Sequence, residues 1–281
     1  MNTVRIVADS GCDLTPDLAE RFDITLVPVF VSFGDEMVSS DELTSDDFWS
    51  RVERNGVPPT TAAPAPGAFL QVFRELVNAG HDVVCLTLPS KHSSTFNAAW
   101  VAAQEFGEHV RVVDSGSISL GMGLQVLRAA QDALAGQSAE TIQRALENLR
   151  ERTSVLFVLD TLEWARRGGR LERLLPLVDR AARSLHVKPV LELTNGEFRL
   201  LGIVRSSRGA LQRLEDEVRS RMPIEGLAAA YTRGRDAAVE LVSHLSMPGA
   251  DQPDEIMIVE AGPVFAAHAG PGAVGAVVIR A

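Results

Sequence analysis

The sequence predicts an α/β protein of two domains. The first has a mostly parallel sheet flanked by helices; the second is a smaller α/β domain containing an antiparallel hairpin. Three observations carry this. Apolar runs of strand length alternate with stretches of helical periodicity through the first half, the pattern of a sheet covered on both faces. Asn195-Gly196 separates two apolar runs in the second half, a hairpin signal that demands antiparallel pairing there. The 281 residues suffice for two cores, and 46% hydrophobic with 23% charged residues is the composition of a folded globular chain.

Taken in order, Val4–Ala8 reads as a strand running into Asp9-Ser10-Gly11, with a helix from about Pro16. Ile24–Phe33 reads as one second strand. Thr44-Ser45-Asp46-Asp47 supplies an N-cap for a helix through Arg54. Pro58 to Gly67 holds four prolines and little periodicity, and reads as a loop. Phe69, Phe73, Leu76 and Val77 fall at helical spacing. Asp82–Leu88 reads as a buried strand, Ser93–Phe106 as a helix, Val110–Val113 as a strand and Leu120–Leu134 as a helix. Ser138–Arg152 reads as a helix and Val155–Leu159 as a strand, with the domain boundary near residue 152, giving domains 1–152 and 153–281. The hairpin spans Pro189–Val204. Helices follow at Ser206–Arg221 and Arg235–Leu245, and strands at Leu227–Ala230 and Ile256–Val259. From Gly262 the chain reads as a Gly/Pro-rich loop entering a last strand.

A net charge of −10 and a pI near 5.1 argue against nucleic acid, whose phosphates require a basic surface. The two cysteines, Cys12 and Cys85, stand far apart and in no metal-ligand spacing, which points to a reducing compartment and to no metal or other cofactor. The start lacks a basic region followed by an apolar run, and no stretch has the apolar length to span a bilayer; a cytoplasmic protein is expected. A dinucleotide fingerprint, a phosphate loop, a zinc-helix motif and a nucleophile elbow are all absent.

Pro89-Ser90-Lys91-His92-Ser93-Ser94-Thr95 follows a buried strand and opens a helix, which is where an open α/β sheet receives ligands. Free N–H groups and a positive partial charge favour anions there, and three hydroxyls add donors. A plain N-cap is the alternative reading of the same residues.

Asp9-Ser10 with Asp13-Leu14, Thr61 through Pro64, Ser93-Ser94-Thr95, Asp160-Thr161-Leu162-Glu163 with Arg167-Gly168-Gly169-Arg170, and Gly262-Pro263-Val264 with His268 fall into an order that resembles the DegV family, the fatty-acid-binding subunits of bacterial fatty acid kinase. Asp9-Ser10 with Asp13-Leu14 resembles the family's opening D-S-x-x-D-L, Thr61 through Pro64 its T-S-Q-P, and Ser93-Ser94-Thr95 its S-G-T. Val113-Asp114-Ser115 is similar to the next strand end. Asp160-Thr161-Leu162-Glu163 with Arg167-Gly168-Gly169-Arg170 resembles D-T-L-E…G-G-R, and Lys188-Pro189-Val190 resembles K-P-I. Gly262-Pro263-Val264, His268 and Gly270-Pro271-Gly272 resemble the C-terminal block. Ser94 departs from the family's Gly, Ala62-Ala63 from its Ser-Gln, and Cys12 is an unusual choice.

The resemblance implies a two-domain DegV-like fold with a long-chain fatty acid buried in it and no catalysis by the chain itself. The carboxylate would be received by Thr61 and Ser93, with backbone N–H groups near Ser94 and with Thr95 beside them. Arg205 and His268 are candidates for nearby positive charge, and Arg170 for the pocket rim. The implied partner is a dihydroxyacetone-kinase-like catalytic subunit that phosphorylates the bound carboxylate with ATP. A small hydrolase using Ser93 with His268 as base is the second reading. Between Arg166 and Lys188 seven basic residues stand against Glu172 and Asp179, interleaved with leucines. A basic amphipathic stretch on an acidic chain reads either as a docking face for an anionic membrane or as core leucines beside a solvated basic face.

Overall fold

The structure is a computed structural model and describes residues 3–172, 174, 176, 187–246 and 256–281. Its first sheet is parallel throughout, in the order β2 (Ile24–Val27), β1 (Val4–Asp9), β6 (Asp82–Thr87), β7 (Val110–Asp114). Alternate residues of the central strands feed two cores, as the two-residue period requires. Ile6, Ala8, Val84 and Leu86 pack against α5 (Leu120–Leu134) and α6 (Ala139–Arg152). Val7, Val83 and Cys85 pack on the other face with α3 (Pro66–Asn78) and α4 (Thr95–Ala103). Both faces are covered, so these strands read as unbroken apolar runs.

A six-stranded sheet takes all its strands from residues 153–280. Its order is β10 (Glu197–Val204), β9 (Lys188–Thr194), β8 (Thr153–Val158), β13 (Val274–Arg280), β11 (Ile224–Tyr231), β12 (Met257–Glu260). Every neighbouring pair is antiparallel except β11 and β12. The Asn195-Gly196 turn joins β9 to β10 as expected, both residues at positive φ. Helices α8 (Ser207–Arg219) and α9 (Asp236–Leu245) cover one face. The other face, through Val155, Phe157, Leu191 and Val277, packs on Leu120 at the start of α5.

Three expectations are corrected. Ile24–Phe33 is two strands: Pro28 lacks the N–H that would continue the ladder, and the chain leaves the parallel sheet to begin β3 (Phe30–Phe33). β3 is the middle of a small antiparallel sheet between β4 (Glu36–Ser39) and β5 (Thr60–Ala62). The proline-rich stretch is therefore not all loop. Its prolines flank residues 60–62, whose donors remain available for pairing, and β5 sits at the sheet edge where proline neighbours are tolerated. The C-terminal Gly/Pro stretch contains a helix, α10 (Pro263–Ala269), starting with Pro at its first position and ending at Gly270 with φ 74°. A short helix, α7 (Glu163–Gly168), precedes Gly169. Of the basic segment 166–188, residues 173, 175 and 177–186 lie outside the described residues, so the expectation placed on them finds no structural counterpart here. No described helix is long and apolar enough to cross a membrane.

Candidate functional site

The parallel sheet, the small sheet and the apolar face of the six-stranded sheet enclose a cavity of about 400 Å³, within the range of small-molecule sites. Each wall follows from local sequence. β5 presents Thr61, held in register opposite Val31. After β6 the Pro89 carbonyl accepts the N–H groups of His92 and Ser93 at 2.9 and 3.0 Å, turning the chain into α4. Ser93 and Ser94 line the cavity at that turn. The Ser93 hydroxyl pairs with Thr95 Oγ1 at 2.7 Å, and Ser94 makes no side-chain cap. The first N–H groups of this nine-residue helix have no intrahelical acceptor, so their partial positive charge faces the same corner.

α10 brings Val264, Phe265 and His268 to the opposite side. His268 Nε2 and Thr61 Oγ1 lie 2.9 Å apart in a hydrogen bond. His268 Nδ1 is sealed from solvent without a partner among the described residues. Burial, and then the nearby Arg170 charge, push the His268 pKa down to about 3, so its ring is neutral at physiological pH. The Gly168 backbone lies against this ring: a Cβ on Gly168 would stand 2.6 Å from Nδ1. Arg170 follows two residues later at the cavity rim and donates to the Gly168 carbonyl at 2.6 Å.

The remaining wall is apolar. Phe157 meets Phe198 and Phe265 edge-on, with ring centroids 6.3 and 5.9 Å away. Leu88, Ile118, Leu159 and Leu171 complete it. His92 closes the seam between the halves, bonding the Gly196 carbonyl through Nε2 at 2.9 Å and lying tilted against Phe198 with ring centroids 4.7 Å apart. Burial lowers the pKa of His92 as well.

The structure thus brings Thr61, Ser93, Ser94, Arg170 and His268 to one cavity. It leaves two expected residues outside. Thr95 is fully buried beneath Ser93 and does not line the cavity, because its position inside the first turn of α4 points it into the fold. Arg205 is exposed beyond the end of β10. Six residues of strand, 199–204, separate it from Phe198, roughly 20 Å at the usual rise. Sequence reasoning missed Ser119, which lines the cavity floor and follows a parallel strand end, the one signal that pointed there. It also missed the three phenylalanines, which come from separate elements and share no local pattern. Ser93 and His268 do not form a nucleophile–base pair: each bonds another partner. A ring with so low a pKa is a weak base, and among the described residues no acid orients its Nδ1.

The cavity is thus mostly apolar, with hydroxyls, a helix N-terminus, a neutral imidazole and one arginine gathered at one side. The chain belongs to the DegV family: the family model described as "Uncharacterised protein, DegV family" matches residues 3–281, and the motif resemblance is borne out. A DegV domain-containing protein of Streptomyces coelicolor is 35% identical over 281 residues, 98% of each chain. A solved DegV family protein of Thermus thermophilus, described for fatty acid binding, superposes with a TM-score of 0.91 at 32% identity, covering 99% of this chain and 100% of that one. A stearic acid-binding protein of Eubacterium ventriosum gives a TM-score of 0.85 at 26% identity, covering 100% of this chain and 98% of that one.

Proposed function

We propose that this protein binds one long-chain fatty acid, with the carboxylate at Thr61, Ser93 and His268 and the acyl chain along the phenylalanine wall. The observation that carries this reading is one mostly apolar cavity into which Thr61, Ser93, His268 and Arg170 all reach, with Thr61 bonded to His268. The fatty acids bound by the Thermus and Eubacterium relatives support it. The energetics suit such a ligand. Each buried methylene contributes about 0.8 kcal/mol, so a chain of about 16 carbons gains on the order of 10 kcal/mol gross before ordering costs. A buried carboxylate without partners would offset much of that, and charge-assisted hydrogen bonds from hydroxyl and backbone donors prevent the loss.

The protein's role is presentation. A dihydroxyacetone-kinase-like catalytic subunit transfers phosphate from ATP to the bound carboxylate, and the cavity shields the acyl phosphate from water. Arg170 at the rim, its guanidinium near the head group, suits a site that must hold added negative charge. In this reading residues 1–152 supply the hydroxyls of the carboxylate site, and residues 153–281 add His268 and Arg170 to it and help to enclose the chain. The basic segment 166–188 gives the protein a transient docking face for an anionic membrane, where ligand enters and leaves.

The test is direct. Protein denatured and extracted after purification should release a fatty acid in stoichiometric amount by mass spectrometry. Empty protein that also ignores added palmitate and oleate would refute the reading. With ATP and magnesium alone no acyl phosphate should form; product should appear once the kinase subunit is added. Vesicle transfer tests the docking face: Arg173, Arg180 and Arg183 changed to Glu should slow exchange with anionic vesicles only, each basic residue near such a surface being worth about 1 kcal/mol. Equal slowing with neutral vesicles would end that part.

A further inference from the structure

Asp13 is buried and stands apart from the cavity-lining residues, yet it joins three segments that shape the cavity. It lies in the turn after β1, at φ 52°. Its Oδ2 accepts the hydroxyl of Ser119 at 2.5 Å, and Ser119, itself at φ 51°, forms the cavity floor at the start of α5. Its Oδ1 also lies against the backbone of Gly262, the residue that opens α10 and whose N–H favours the charged carboxylate. The approach requires glycine, because a Cβ at Gly262 would stand 2.8 Å from Asp13 Oδ1. α10 is the helix that carries Val264, Phe265 and His268 into the cavity. One carboxyl therefore sits between the N-terminal end of that helix and the cavity floor, bonded to the floor and packed against the helix start.

We propose that Asp13 is a positioning residue that latches the His268 helix over the cavity, and that placing a negative charge on Asp13 loosens the latch. The opposite face of the same turn shows why Asp13 and not its neighbour fills this part. Asp9 is also buried, but both its oxygens accept backbone N–H groups, Gly11 at 2.9 Å and Leu88 at 2.7 Å. A proton on Asp9 weakens its acceptance from one of those two backbone donors. Asp13 has a hydroxyl as one partner, and a hydroxyl can turn from donor to acceptor when the carboxyl gains a proton. Its bond to Ser119 survives in either state.

The electrostatics agree with this geometry. Burial pushes the Asp13 carboxyl up to about 7, against the lowering effect of Ser119 and Gly262. The titratable groups around it are Asp9, likewise raised to about 7 by burial, and the Cys12 thiol, raised further still. On the helix side His268 stays neutral, and Glu260 accepts the Ser45 hydroxyl at 2.6 Å. No cation is among the groups whose charge moves the Asp13 titration. The closed helix holds the Asp13 proton more tightly than water does. Closure is therefore strongest at low pH, weakens as pH rises from the ordinary 3.8 towards 7, and changes little beyond.

The latch is read without ligand, by hydrogen–deuterium exchange of residues 263–269 from pH 5 to pH 8, corrected for intrinsic exchange. In the wild type, protection should fall about tenfold to a hundredfold across that range. In Asp13→Asn, whose amide keeps the Ser119 bond and the Gly262 contact without charge, protection should stay level and exceed the wild type at pH 8. Asp9 titrates in both proteins, so equal pH profiles would overturn the proposal, as would a flat wild-type profile. If Asp13→Asn does not fold, Ser119→Ala decides: losing that donor should move the fall in protection to higher pH, and an unmoved midpoint overturns the latch. A second arm rests on the fatty-acid reading. Palmitate transfer from neutral vesicles at pH 8 should be severalfold slower into Asp13→Asn than into the wild type. Exchange results as expected with no palmitate uptake by either protein would fail the lipid reading and leave the latch standing; uptake at equal rates would overturn the latch's role in ligand entry.

Discussion

The N-terminal half brings hydroxyls to the cavity, at Thr61, Ser93 and Ser119, whereas the C-terminal half brings three phenylalanines, His268 and Arg170. The difference follows from where each half meets the cavity. The first half meets it mainly at edges and strand ends: Thr61 on an edge strand, Ser93 and Ser119 in the turns after β6 and β7, where backbone polarity must be met and short polar side chains recur. The second half meets it with the face of a sheet and the flank of a helix, surfaces that are apolar because they would otherwise be core. Neither half is a site alone. A ligand bridging them must be amphiphilic, and the junction is made where a first-half hydroxyl bonds a second-half imidazole.

The sharpest way to break this contrast is to erase the hydroxyl wall. Thr61→Val with Ser93→Ala nearly conserves volume and removes two donors. Hydrogen bonds to a charged group contribute about 1.5–3 kcal/mol each, so palmitate affinity should fall at least about a hundredfold. Displacement titration against a fluorescent fatty acid measures it, with circular dichroism confirming the fold. Unchanged affinity would move the head group elsewhere.

Erasing the aromatic wall should act on stability as much as on binding. Phe157 is 4% exposed and contacts both other phenylalanines edge-on. Phe157→Ala should cost about 3–5 kcal/mol by urea unfolding, with palmitate restoring part of the loss by filling the space. A change below 1 kcal/mol would mean that the wall is not packed.

The junction itself is probed by Gly168→Ala. The new methyl would meet His268 Nδ1 at 2.6 Å, so the ring must turn away from Thr61. Overpacking of this kind costs about 1–3 kcal/mol. Palmitate affinity should fall by about tenfold while exposed surface and secondary structure stay unchanged. An unaffected affinity would show that the Thr61–His268 contact is dispensable.

The same contrast explains what was legible in the sequence. The parallel sheet was readable because its strands are buried on both faces and announce themselves as apolar runs, and α5 and the 195–196 turn fell where periodicity and Asn-Gly placed them. Thr61 and His268 were found through ordered motifs, and Ser93 also through its place between a buried strand and a helix start; spacing could not join them, since they lie on three segments that only the fold assembles. Punctuation misled where it was dense. Proline and glycine around residues 58–67 and 262–272 suggested loops, yet Pro263 and Gly270 are a helix start and stop, and the prolines about residues 60–62 merely bound a strand. The phenylalanine wall was invisible because its members are far apart in sequence and any one of them reads as ordinary core.

The smallest effect expected is at Arg205, and it separates two ways in which the C-terminal half could supply positive charge. In one, net basic character anywhere near the hairpin attracts the carboxylate. In the other, only a guanidinium at the rim matters. Arg170 lines the cavity and its charge reaches His268 strongly enough to lower that ring's pKa. Arg205 is exposed past the far end of β10. At a separation of roughly 20 Å its field is screened at physiological ionic strength, where the Debye length is about 8 Å. Arg205→Ala should leave palmitate affinity and stability within about 0.5 kcal/mol of the wild type, the usual range for a surface change. Arg170→Met, which keeps an apolar stem and removes the charge, should weaken binding of palmitate but not of palmityl alcohol. Loss at Arg205 equal to that at Arg170 would replace the local rim charge with a long-range one, and the C-terminal wall would then act through its net field instead of through its contacts.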